Sequence, residues 1–156
     1  MHTLILYATK YGATREIAER IAKGMGDATL HDLKLGDVPD LAGFDCVIIG
    51  SSLYAGSIRK EAKAFLAQNA DKLRDKKLGL FLSGMAKSDE EKYFKDNFPS
   101  SLMQAACVAS FLGGIFDPKK AGAMARLIMK AVTKQPGYVD AIDDEKITQF
   151  VSRIKA

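Results

Sequence analysis

The sequence predicts a doubly wound α/β domain built on a five-stranded parallel sheet, and three observations predict it. Short apolar runs at residues 4–7, 28–33, 46–49, 77–83 and 107–112 are too brief for helices and suit strands buried between helical layers. Stretches between them repeat apolar residues at helical spacing. Three runs lead into loops dense in glycine and hydroxyls, at 8–14, 50–57 and 83–87, and in a parallel sheet such loops gather on one edge.

The first element pair spans Thr3 to Met25 and reads as strand, polar loop and helix. Leu4-Ile5-Leu6-Tyr7 is the strand, and Ile17, Ala18, Ile21, Ala22 and Met25 recur at helical spacing. Between them lies Ala8-Thr9-Lys10-Tyr11-Gly12-Ala13-Thr14. A chain that leaves a sheet and turns straight into a helix aims free N–H groups and the positive dipole end at one point, where an anion belongs. Neither G-x-x-x-x-G-K-[ST] nor G-x-G-x-x-G is present, which excludes the usual triphosphate and dinucleotide loops. Thr9-x-x-Gly12-x-Thr14 remains, two hydroxyls flanking a glycine that lets the backbone close around one compact phosphate. An ordinary helix cap by Thr9 or Thr14 is the plainer alternative.

Gly24 and Gly26 suit the end of this helix. Ala28–Leu33 reads as a weaker second strand, with Asp32 a solvated turn residue, and Val38–Leu41 as a turn or short helix. Cys46–Ile49 is the third strand, followed by the loop Gly50-Ser51-Ser52-Leu53-Tyr54-Ala55-Gly56-Ser57. Tyr54 either offers its face to a planar ring or covers the sheet edge; Gly56 allows a turn without a Cβ penalty. Ile58, Ala62, Phe65 and Leu66 carry the second helix. Lys77–Ser83 is the fourth strand, and Ser83-Gly84-Met85-Ala86-Lys87 forms a third wall whose N–H groups can meet ring carbonyls. Ser88-Asp89-Glu90-Glu91 has the pattern of a capping box, and Pro99 closes the helix it opens. Cys107–Leu112 is the fifth strand. The last helix starts near Asp143-Asp144-Glu145 and buries Ile147, Phe150, Val151 and Ile154, with acids suited to the dipole.

At 156 residues, 47% of them apolar and 27% charged, the chain is read as one domain over 1–156. It shows no signal sequence and no apolar run near the roughly 18 residues of a membrane span, so it is expected to be cytoplasmic. Cys46 and Cys107 lie in apolar runs and are expected to be buried thiols, with no metal-ligand spacing. His2 and His31 accompany no nucleophile elbow, and no carboxylate pair stands out. No catalytic side chain is therefore assigned; reactivity has to come from a cofactor that the protein positions.

The run Ile5-Leu6-Tyr7-x-Thr9-x-x-Gly12-x-Thr14-x-x-x-Ala18-x-x-Ile21 resembles the FMN-phosphate loop of the flavodoxin family at every specified position. The resemblance covers nearly the whole chain and implies a flavodoxin-like sheet of order 2-1-3-4-5 that binds FMN. It implies Thr9, Lys10, Tyr11, Gly12, Ala13 and Thr14 around the phosphate, with Ser52, Leu53, Tyr54, Ala55, Gly56, Ser83, Gly84 and Met85 around the isoalloxazine. In that family a peptide near the second loop's glycine can turn its carbonyl to flavin N5 on one-electron reduction; Gly56 is the matching position. Val47-Ile48-Ile49-Gly50-Ser51-Ser52 and Ala125-Arg126-Leu127-Ile128-Met129-Lys130 look like the menaquinone-dependent protoporphyrinogen dehydrogenases, which also carry an extra segment before the last helix. Electron-carrier flavodoxins are typically acidic, whereas this chain has a net charge of +4. Two functions stay open: an FMN enzyme oxidising protoporphyrinogen with a quinone acceptor, and a single-domain electron carrier docking with redox partner proteins.

The positive charge is local. Pro118 to Val139 holds five basic residues and no acid, leaving 18 basic against 19 acidic groups elsewhere. Pro118 to Lys134 is expected to be an extra helix with a wide apolar arc opposite Lys119, Lys120, Arg126, Lys130 and Lys134. Such a helix can lie on the inner face of an anionic membrane or meet the electron acceptor; packing on its own domain, or self-association through Met124 and Met129, are the alternatives. Nothing points to a nucleic-acid partner.

Overall fold

Period-two alternation inside the apolar runs decides the layers. The computed structural model describes residues 1–85, 88–120, 122–123, 126–127 and 137–156. β1 (Thr3–Ala8), β2 (Ala28–Asp32), β3 (Cys46–Ser52), β4 (Lys77–Ser83) and β5 (Val108–Phe111) form one parallel sheet of order β2-β1-β3-β4-β5. Leu4, Leu6, Val47, Ile49, Leu78, Leu80 and Leu82 point to one face, where α2 (Lys60–Arg74), α3 (Glu90–Asn97) and α4 (Ser100–Ala105) add Phe65, Leu66, Phe94 and Leu102. Ile5, Tyr7, Cys46, Ile48 and Phe81 point to the other, against α1 (Ala13–Met25) and the C-terminal helix Asp144–Lys155. Both faces are covered, so the central runs are continuously apolar.

Glycine makes room on the second face. A methyl on Gly50 would stand 2.0 Å from the ring of Phe81, its neighbour across the ladder. Phe81 in turn meets Phe150 edge-on, with centroids 6.2 Å apart. The C-terminal helix opens as the acids predict: Asp143 accepts from Lys146 N–H at 3.0 Å, and Ile147, Phe150, Val151 and Ile154 are buried.

Several expectations are corrected. Gly50, Ser51 and Ser52 belong to β3 and pair with β4, so the second loop begins only at Leu53. Leu33 opens a 3-10 turn instead of ending β2, and Asp32 caps that turn by accepting from Lys34 N–H at 2.9 Å. The capping box of Ser88 with Glu91 is not made: Asp89 is the residue before the helix, with a left-handed φ of 67° and no side-chain cap, and the neighbouring Glu90 accepts from Phe111 N–H at 2.9 Å. Helix α3 ends at Asn97, and Pro99 opens α4, which the apolar pattern did not reveal. Cys46 is buried but Cys107 is exposed, because it precedes β5 at the rim of the sheet. A two-stranded antiparallel hairpin, β6 (Ile115–Phe116) with β7 (Val139–Asp140), was also not foreseen. The expected helix over 118–134 does not start at Pro118: residues 118–120 form a turn. Its residues 121, 124–125 and 128–134 lie outside the described residues, while Arg126 N–H donates to Gly122 O at 3.0 Å and Leu127 is exposed.

Candidate functional site

β1 leads through α1 on one face of the sheet and β3 through α2 on the other. A crevice therefore opens between their carboxyl ends, the switch point where α/β sheets take ligands. Three loops meet there.

The first runs from Thr9 to Gly12. Thr9 Oγ1 accepts from Gly12 N–H at 2.9 Å and folds the loop back on itself. Gly12 is the residue before the helix, with φ 101°, a conformation that favours glycine. α1 has no side-chain cap, so its leading N–H groups keep the donor capacity that helix termini leave unused. Thr14 is fully buried, and its Oγ1 lies 2.6 Å from Ser83 Oγ. The hydroxyl expected to meet a ligand thus also ties the first loop to the end of β4.

The second loop is a tight reversal. Tyr54 and Ser57 exchange backbone hydrogen bonds of 2.9 and 3.0 Å around Ala55 (φ 50°) and Gly56 (φ 79°), the positive-φ pair of a type I′ turn. Leu53 N–H donates to Ser83 O at 2.8 Å, placing this loop beside the third. Tyr54 is half exposed, and Lys10 Nζ stands 3.2 Å from its ring centroid, a cation–π contact that links loops one and two. Tyr11 stays near the same ammonium, at 5.3 Å. Ser52 Oγ, at the end of β3, is buried and without a hydrogen-bond partner among the described residues.

Sequence reasoning missed the residue that holds the second loop. Asn97 Nδ2 donates to Gly56 O at 3.0 Å, and its Oδ1 accepts from Ile58 N–H at 3.0 Å. No local pattern announces it, because Asn97 comes from α3 and meets the loop only in the fold.

In the third loop, Ser83, Gly84 and Met85 are described, whereas Ala86 and Lys87 lie outside the described residues. Gly84 N–H donates to Gly113 O at 2.9 Å, which removes one of the donors expected to face a ring. Close backbone approach explains the glycines: a methyl on Gly114 would sit 2.8 Å from Gly84 O.

A family model described as a flavodoxin domain matches residues 4–141 of the chain. No curated protein sequence matches it. Among solved structures, it is similar to a flavodoxin of Streptococcus pneumonia TIGR4, at 19% identity over 99% of this chain and 98% of that one, TM-score 0.66. It is also similar to a flavoprotein from Lactobacillus acidophilus NCFM in complex with FMN, at 18% identity over 70% and 92%, TM-score 0.53. Rubredoxin oxygen:oxidoreductase from Desulfovibrio gigas aligns at 17% identity and TM-score 0.61; the match takes in 98% of this chain but only 35% of that longer one. At these identities the structural likenesses speak for the fold.

Proposed function

This chain belongs to the flavodoxin family, and from that premise we propose that it is a one-domain FMN protein that carries electrons between docking partners. The observation that carries the reading is the uncapped N-terminus of α1 at the sheet switch point, with Thr9 and Thr14 beside it. The residues fit the group. Free helix N–H groups suit a phosphate, Tyr54, with Lys10 over one face, has its other face to offer a flat ring, and the unpartnered Ser52 hydroxyl at the end of β3 offers one more polar contact. Thr9, Lys10, Tyr11, Gly12, Ala13 and Thr14 would hold the phosphate, and Ser52–Gly56 with Ser83–Met85 the ring. When bound, FMN supplies the electron-accepting chemistry; the protein positions it, and Asn97 keeps the second loop in shape.

Titration with FMN and with riboflavin, followed by fluorescence quenching, tests this. FMN should bind far more tightly, and equal affinity for the two would overturn the phosphate assignment. A finer reading, oxidation of protoporphyrinogen with a quinone acceptor, rests on the Val47–Ser52 run and on the extra segment after β5. Turnover of protoporphyrinogen by FMN-loaded protein with a menaquinone analogue would favour the enzyme; reduction only by a redox partner protein favours the carrier.

A further inference from the structure

We propose that Lys120 is a phosphate-binding residue, delivered to the first loop by the segment inserted between β5 and the C-terminal helix. The inference rests on the FMN reading above. The stem of that segment is locked to the site edge. Gly84 N–H donates to Gly113 O, and Ala141 N–H to Gly114 O at 2.8 Å. The pairing of Ile115 with Asp140 and Phe116 with Val139 closes the base.

Directly after β6, Asp117 shapes a turn. Its carboxylate accepts from Lys119 N–H at 2.9 Å, and its carbonyl from Lys120 N–H at 3.1 Å. This turn carries Lys120 to the first loop, where a methyl on Gly12 would lie 3.9 Å from the ammonium. Among the described residues Lys120 has no ion-pair partner. An ammonium beside a helix N-terminus is disfavoured by the dipole. A phosphate between the two is attracted by both, so the arrangement is resolved by an anion. Thr9 and Thr14 supply shape to that anion site and Lys120 supplies charge, from a part of the chain that is remote in sequence.

The test is titration of parent, Lys120→Gln, Lys120→Arg and Lys119→Gln with FMN and riboflavin at low and high salt. Both lysines are exposed, so folding should survive each change. Lys120→Gln should weaken FMN about three- to tenfold at low salt, the scale of a solvent-exposed charge contact. The gap should close at high salt, and riboflavin binding should not move. Lys120→Arg and Lys119→Gln should bind FMN like the parent. Parental FMN affinity in Lys120→Gln, or an equal loss in Lys119→Gln, overturns the role of Lys120 alone. A parent that does not distinguish FMN from riboflavin takes the underlying FMN-phosphate reading down with it.

Discussion

Thr14 and Thr9 stand at equivalent places in the motif but do different structural work. Replacing either with Val keeps the shape and removes a hydroxyl. Hydrogen bonds to a charged group contribute about 1.5–3 kcal/mol, so FMN affinity should fall roughly ten- to a hundredfold in each variant. The variants should part company in urea unfolding. Thr14→Val leaves the buried Ser83 hydroxyl without its 2.6 Å partner and should cost about 1–3 kcal/mol of stability. Thr9 gives up only a partly buried bond to Gly12 N–H, so its variant should lose less. Thr14→Val as stable as the parent would show that the hydroxyl pair contributes little. The anion loop was legible because its chemistry is local, six residues in a row. The Thr14–Ser83 and Asn97–Gly56 bonds were not, since each joins positions far apart in the chain.

Cysteine gives a second contrast at this scale. Burial pushes the Cys46 thiol up to about 11, whereas Cys107 is exposed. A maleimide at neutral pH should label one thiol per native chain, at Cys107, and two after unfolding; mass spectrometry of the digest reads which. The sign of the pH effect follows. The folded state keeps Cys46 neutral, while the unfolded chain releases the proton near its ordinary value of 9.0. This contribution to stability is complete below about pH 9 and erodes as the pH climbs towards about 11. Both cysteines lie in apolar runs, and only the tertiary position of the start of β5 separates them.

At the scale of elements, long uniform signals were readable and short or contested ones were not. The β4 run Lys77–Ser83 and the acid-led C-terminal helix match their sequence limits closely. β6 and β7 are two residues each and pair across a long gap, so no window contains their pattern. In α3 no side-chain cap forms, and Glu90 in its first turn makes tertiary contacts, serving Phe111 N–H and lying 3.7 Å from Lys146. The junction of the inserted segment should therefore be more fragile than any helix cap. Gly113 holds φ 85°, and a methyl there would come within 2.0 Å of Ala141 O. Gly113→Ala should cost about 3 kcal/mol through backbone strain and displacement, and should weaken FMN binding because Gly84 shifts with it. Asp143→Ala, which removes the cap of the C-terminal helix, should cost about 1 kcal/mol and leave FMN affinity intact. Denaturant midpoints and FMN titrations of the two variants distinguish junction from cap; equal behaviour would mean that the Gly113 contact does not couple segment and site.

At the scale of the whole molecule, the uneven charge belongs to one segment, and the root of that segment is known. The five basic residues between Pro118 and Val139 have no acid among them, and the segment that bears them is rooted at Gly113, Gly114 and Ala141, beside the third loop. Of these residues, Lys120 stands beside Gly12, so a partner drawn to it would meet the first loop. Among the described residues no helix is long and apolar enough to cross a membrane. Each Lys or Arg near an anionic bilayer contributes about 1 kcal/mol, and lysine stems can spread over an apolar edge. FMN-loaded protein should sediment with anionic liposomes at low salt and be released at high salt, when the contacts are screened. A variant with Lys119, Arg126, Lys130 and Lys134 changed to Gln, keeping Lys120 for the cofactor, should stay in the supernatant with its FMN bound. Neutral liposomes should capture neither protein. If the parent ignores anionic liposomes at low salt, the membrane reading is overturned and an acidic partner protein is the reading left to test: the same variant should then slow electron exchange with that partner while its own FMN affinity stays parental.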